Sequence, residues 1–158
     1  GSPMSQAAVL ASLQPQVGQE VHVSDWFEVT QARIDAFAAA TGDHQWIHVD
    51  PARAARESPW KSTIAHGYYT LSLYPLLRGL VDERQPLYAG VRQIINYGLD
   101  KLRFPNAVKA GSRVRAHCVL LKVEEVTNGL QMTEQYTVEI EGEAKPACVA
   151  EAIMRAYF

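Results

Sequence analysis

Apolar and polar positions alternate by twos through most of the second half of the chain. Val114, Ala116, Cys118 and Leu120 alternate with Arg113, Arg115 and His117, the period of a strand with one face buried. After Leu120 the phase slips to Leu121 and Val123, which predicts a bulge or strong curl within a run from Ser112 to Val126. Asn128-Gly129 predicts a hairpin turn. Leu130, Met132, Tyr136, Val138 and Ile140 then alternate with Gln131, Thr133, Gln135, Thr137 and Glu139. Gly142 turns the chain again. Lys145 to Phe158 predicts a last strand with few polar side chains on either side, so both of its faces are expected to be covered. Val91 to Tyr97 and Leu99 to Phe104 predict two more strands, and Asp25 to Val29 a short one.

The first half repeats by threes and fours. Thr30 is a good N-cap, and Ile34, Phe37, Ala38 and Thr41 give the helix after it one packing face. Gly42 stands where a left-handed glycine ends such a helix. After a short loop, Asp43 to Val49, Asp50-Pro51 starts a charged surface helix running to Glu57. Ser58 to Thr63 reads as loop. Ile64 to Leu77 contains no Asp, Glu, Lys or Arg. A helix apolar on most sides is buried, and Pro75 inside it predicts a kink or break.

Residues 4–15 are expected to form a short helix or a loose arm, and Val17-Gly18-Gln19-Glu20 opens the ordered domain. Gly1-Ser2-Pro3 before Met4 reads as a cloning remnant. The chain therefore divides into a tag remnant and arm, residues 1–16, and a single domain, residues 17–158. One buried helix with a largely antiparallel sheet makes an α+β domain, a curled sheet wrapped round a central helix. Such a sheet leaves edges, so pairing with a second copy is expected.

Composition narrows the function. The chain has 158 residues, 47% of them hydrophobic and 20% charged, with a formal net charge of -2. That balance lacks the basic footprint of a nucleic-acid binder. No apolar run reaches a membrane span and no signal peptide is visible. Cys118 and Cys148 sit in no zinc-binding spacing, and both are expected to be buried free thiols in a reducing cytosol.

Two neighbourhoods carry candidate chemistry. Thr41-Gly42-Asp43-His44-Gln45-Trp46-Ile47-His48-Val49-Asp50-Pro51 places a carboxylate and an imidazole five residues apart on a loop between helices. Hydration of a polarised double bond needs a base to activate water and an acid to protonate the neighbouring carbon, and Asp43 and His48 can share one water and both jobs. Ile64-Ala65-His66-Gly67 opens the buried helix. The first N–H groups of a helix have no internal partner, and glycine lets a ligand approach, so the Gly67 N–H is a candidate oxyanion donor. By spacing alone other readings stay open: Asp43 capping its turn, His48 packed beside Trp46, His66 a hydrogen-bonded structural residue. Asp43, His44, His48, Asp50 and His66 also offer the imidazole and carboxylate ligands that suit zinc or iron. Residues of one short loop need not converge and no HExxH helix is present, so no metal is expected.

Read together, these motifs resemble a known family. Phe37 to Ala52, with Gly42-Asp43 and His48 followed by Asp50-Pro51, resembles the hydratase motif of the MaoC-like family. Ile64-Ala65-His66-Gly67 resembles its second signature, and Asn96 to Pro105, with Val108 and Gly111, its third. The variant Gly-Asp-His-Gln-Trp-Ile-His, with Lys-Pro-Ala-Cys-Val-Ala-Glu near the end, is similar to the nodulation protein N branch. The resemblance spans roughly residues 17–157. It implies the hot-dog fold, a curved antiparallel sheet around a long central helix, as a homodimer in the cytoplasm. It also implies (R)-specific hydration of trans-2-enoyl thioesters, or the reverse dehydration, with Asp43 and His48 as catalytic pair and Gly67 as oxyanion donor. The substrate brings coenzyme A or an acyl-carrier pantetheine, and no other cofactor is implied. Gln45, Trp46, His66, Tyr68 and Leu71 are the expected substrate-binding residues.

The pattern departs from the family's at Gln45-Trp46, where the motif has Asn-Pro, and on the central helix, where a common serine position falls on Pro75 with Ser72 one turn earlier. Both departures bear on acyl-chain length. Lys101, Arg103, Lys109 and Arg113 are a local basic group, read as a solvated sheet face before a phosphate site. The rival readings are a non-catalytic acyl-thioester-binding module and a thioesterase, though the central helix offers no acidic residue as a base.

Overall fold

The computed structural model describes residues 3–158, and Gly1 and Ser2, which the sequence reading places in a cloning remnant, lie outside the described residues. Six strands form one antiparallel sheet: β1 (Glu20–Val23), β2 (Phe27–Glu28), β3 (Gln93–Arg103), β4 (Arg113–Val126), β5 (Gly129–Ile140) and β6 (Cys148–Tyr157). Their order is β1-β4-β5-β6-β3, with β2 also on β4. The helices are α1 (Pro3–Leu13), α2 (Gln31–Thr41), α3 (Trp46–Val49), α4 (Pro51–Glu57), α5 (Gly67–Ser72) and α6 (Tyr74–Arg78).

The alternating residues do what their period dictates. Val114, Ala116, Cys118 and Leu120 of β4, Tyr136, Val138 and Ile140 of β5, and Cys148, Ala150 and Ala152 of β6 are all buried. The phase slip after Leu120 is a bulge, with the register against β5 shifting between Leu120 and Lys122. The hairpin sits one residue earlier than Asn128-Gly129 suggests. Val126 pairs with Gly129, so Thr127 and Asn128 make the turn and Asn128 takes the left-handed conformation, φ 64°. Gly129 is needed for another reason: a Cβ there would stand 2.3 Å from the Ala156 carbonyl oxygen on β6. The two strands predicted on either side of Gly98 are one strand, β3, whose register against β6 slips between Asn96 and Gly98 and again between Asp100 and Arg103. The outer half of β6 is only partly covered, with Val149, Ile153 and Tyr157 half-buried.

The central helix is two short pieces rather than one long one. α5 ends at Leu73, and α6 begins at Tyr74 with Pro75 in its first turn. Proline has no N–H to continue the ladder, which gives the predicted break its cause. α1 is a helix and not a loose arm: Val9 and Leu13 are buried in a cluster with Leu120, Leu130, Met132 and Met154. β1, absent from the sequence expectation, lies against β4. Cys118 and Cys148 are free and buried, and burial pushes both thiols up to about 12, with Glu134 adding repulsion at Cys118. No helix among the described residues is long and apolar enough to cross a membrane.

One charged pair lies inside. Arg78 is 5% exposed and Glu134 0%. Arg78 Nε and Nη2 donate to the Glu134 carboxylate at 2.8 to 3.0 Å, and the Tyr74 hydroxyl donates to it at 2.6 Å. Burial, then the adjacent carboxylate, raises the Tyr74 phenol far above its usual range, so it stays a donor. Breaking such a pair strands a charge in low dielectric, so Arg78→Ala is expected to lose about 3–5 kcal/mol of stability in urea unfolding.

Candidate active site

α2 delivers Asp43. Thr30 caps the helix by accepting from the Arg33 N–H at 3.2 Å. Gly42, φ 86°, ends it in the left-handed conformation. The chain thus turns sharply, and Asp43 Oδ1 accepts from the Gln45 N–H at 3.4 Å. α3 follows at once and buries His48. Asp50 caps α4 by accepting from Arg53 N–H at 3.0 Å.

The two candidate neighbourhoods meet. His48 Nδ1 lies 2.7 Å from the Ile64 carbonyl oxygen. A carbonyl only accepts, so Nδ1 carries the proton and Nε2 keeps its lone pair. That Nε2 faces Asp43 Oδ2 at 3.9 Å, too far for a direct hydrogen bond and suited to one shared water. His66 Nε2 donates to the Asp43 backbone carbonyl at 3.0 Å. The two imidazoles stack, centroids 3.8 Å apart at 24°, and Phe37 covers His66 from the other side at 4.8 Å. The remaining His66 nitrogen, Nδ1, is buried without a partner among the described residues.

Several residues that the sequence did not single out hold this arrangement. Gln31 Nε2 donates to the His48 carbonyl at 2.7 Å, and Gln31 Oε1 accepts from the Thr63 hydroxyl. Ile64 N–H bonds Ile47 carbonyl at 3.0 Å, and Ala65 N–H bonds Val108 carbonyl at 2.8 Å. The loop before α5 is thereby clamped between α3 and the segment leading to β4. Gly67 opens α5, and its N–H has no backbone partner among the described residues. A Cβ on Gly67 would stand 2.7 Å from the Phe104 ring, so glycine here admits Phe104 as well as leaving the N–H open.

The other predicted contacts divide. Leu71 lines a groove of about 390 Å³ together with Tyr74, Pro75 and Leu99. Trp46 is half-buried with the Arg53 guanidinium 4.3 Å over its ring. Gln45 is exposed. Tyr68 is 69% exposed and meets the edge of Phe104, so within one protomer it walls no pocket. In the basic group, Lys101 pairs with Glu151 at 3.4 Å and Arg113 with Glu141, as a solvated face would.

A carboxylate oxygen of Asp43 and a ring nitrogen of each of His48 and His66 lie within 4.8 Å of one another. Metal ligation requires both imidazole planes to pass through the ion. Rings stacked at 24° set their in-plane lone pairs side by side, which makes the cluster a poor chelate as it stands.

The family description "MaoC like domain" matches residues 12–142. The chain belongs to the MaoC-like dehydratase family. It is 52% identical to the 3-hydroxyacyl-thioester dehydratase Z of Mycobacterium tuberculosis over 92% of this chain and 94% of that one. It is 46% identical to the nodulation protein N of Rhizobium leguminosarum bv. viciae, over 91% and 88%. Among solved structures it resembles the (R)-hydratase from A. caviae, TM-score 0.65 and 28% identity, over 87% and 94%. Its sheet around the α5–α6 pair is the hot-dog fold of these MaoC-like hydratases.

Burial lowers the His48 pKa below its ordinary 6.5, the neighbouring His66 adds to that, and the Ile64 carbonyl and Asp43 only partly oppose it. The neutral ring is the form above the pKa, so His48 is a free base at pH 7. In an NMR titration its C2 proton is expected to show a midpoint below 6.5.

Proposed function

We propose that this protein is an (R)-specific hydratase of trans-2-enoyl thioesters, running the reverse dehydration of 3-hydroxyacyl thioesters when concentrations favour it. The observation that carries the reading is the His48 ring. Its Nδ1 is committed to the Ile64 carbonyl, and its Nε2 lone pair stands 3.9 Å from the Asp43 carboxylate. The family membership and the dehydratase relative support the same reaction.

A water between His48 Nε2 and Asp43 attacks C3 of the enoyl thioester. The C3–O bond forms as a water O–H breaks, the proton passes to the pair, and the pair returns a proton to C2. Addition is syn because one pair serves both carbons from one side. Charge develops on the thioester oxygen, where the Gly67 N–H receives it. The sum is water plus alkene giving an alcohol, so atoms balance without a redox cofactor. The pantetheine arm of coenzyme A or an acyl carrier enters as part of the substrate. Leu71 and the groove behind it take the acyl chain. Trp46, His66, Gln45 and Tyr68 border the entrance, Tyr68 once a second protomer covers it.

That second copy is part of the reading. Among the described residues β3 pairs only with β6, and its other edge has no strand partner. Tyr97 is 56% exposed and Leu99 42% on that strand, with Phe104 38% just beyond. Long apolar edge strands need a cover, and an isologous pairing with itself supplies one. Light scattering after size exclusion should give twice the chain mass, and a monomer at micromolar concentration would remove the dimer from the proposal.

Activity is tested by decay of the enoyl-thioester absorbance with crotonyl-coenzyme A and a longer enoyl-coenzyme A. Wild type should consume substrate. Asp43→Asn and His48→Ala should each lose about 100-fold or more in kcat, with the melting temperature of Asp43→Asn little changed. Wild-type rates in Asp43→Asn would sink the assignment of the pair.

A further inference from the structure

Among the described residues, Glu134 and Arg78 are the buried carboxylate and guanidinium, and the hydration chemistry uses neither. They lie behind Tyr74, whose hydroxyl donates to Glu134. The same Tyr74 lines the groove with Leu71, Ser72 and Pro75 of the helix pair, and Leu99, Ala152 and Ile153 of the sheet line it as well. Gly67 stands one turn before Leu71 on α5, and Tyr74 opens α6 directly after the break. Phe104 packs at Gly67 and Leu99 lines the groove, so β3 runs alongside from the oxyanion end toward Tyr74.

We infer that Tyr74, pinned by the buried Glu134–Arg78 pair, is the end wall of the acyl groove and restricts this enzyme to short and medium acyl chains. The inference rests on the hydratase reading, which seats the thioester carbonyl at Gly67 and sends the tail past Leu71.

Length follows from the helix. Seven residues separate Gly67 from Tyr74, roughly 10 Å at the helical rise of about 1.5 Å per residue. An extended chain advances about 3.4 Å per three bonds. The tail therefore meets Tyr74 after about eight to ten carbons.

Stiffness follows from the polar pair. A wall of leucine or methionine yields to a longer chain by changing rotamer. Tyr74 is held edge-on against Tyr136, centroids 4.9 Å apart at 79°, and the Tyr136 hydroxyl is itself fixed to the Thr70 carbonyl at 3.0 Å. If Tyr74 swung away, Glu134 would lose a donor in an apolar interior. A methylene chain pushed into the space would face an ion pair it cannot hydrogen-bond.

The test is calorimetric titration with octanoyl- and tetradecanoyl-coenzyme A, saturated thioesters that cannot be hydrated. Wild type should bind octanoyl-coenzyme A about tenfold or more tightly than the longer thioester. Tyr74→Ala, which removes the wall, should bring the two within a few-fold. Tyr74→Phe keeps the bulk and loses the pin, and should give an intermediate ratio; it carries the test if the alanine variant does not fold. Equal binding of both thioesters by wild type, or a ratio unchanged in Tyr74→Phe and Tyr74→Ala, would overturn the wall. Turnover of octenoyl-coenzyme A is measured alongside. A chain-length limit in binding with no turnover would leave the wall standing and remove the hydratase reading instead.

Discussion

The hydrogen bond from His48 Nδ1 to the Ile64 carbonyl joins two segments that the chain keeps sixteen residues apart. On one side are α2, its glycine cap and the Asp43 turn; on the other are His66 and the first N–H of α5. The bond does two things at once. It fixes which ring nitrogen bears the proton, and it sets the separation between the carboxylate loop and the helix start. The strap of Ile64 and Ala65 to Ile47 and Val108 then prevents the acceptor from moving. The placing of Asp43 against His48 is thus a property of backbone hydrogen bonding, with side chains filling positions that the backbone has set.

That division explains what could be read from residues alone. The Thr30 and Gly42 boundaries of α2 and the slip after Leu120 were legible because each depends on local chemistry: a cap, a glycine conformation, a broken alternation. The Ile64 carbonyl was not, because every residue has one and only the fold selects it. Phe104 at Gly67 was hidden for the same reason, being thirty-seven residues away in sequence. Tyr68, expected at the substrate, is 69% exposed in the single protomer. Glu134 did leave a signal: it interrupts the inward series Leu130, Met132, Tyr136 and Val138. A charge at an inward position implies a buried partner, and Arg78 was the cation at the end of an otherwise uncharged helix.

The break at Leu73 and the buried pair belong together. α5 ends at Ser72 and α6 restarts at Tyr74 with Pro75 in its first turn. Tyr74 and Arg78, one turn apart on α6, both reach Glu134. The buried carboxylate is therefore met by the second piece, while Gly67 opens the first. Changes at the second half can alter the inner end of the groove while leaving His48, Asp43 and Gly67 where they are.

The order of strands has a consequence for synthesis. β3 has one sheet neighbour, β6, which is made some forty-five residues later on the ribosome. Until residues 148–157 emerge, β3 lacks the strand it pairs with, and the α5–α6 pair has no β6 beneath it. Closure of the sheet is a non-local event that comes late. A nascent chain of this protein is at its most adhesive just before β6 arrives, and a second nascent copy exposes the same strand at the same stage.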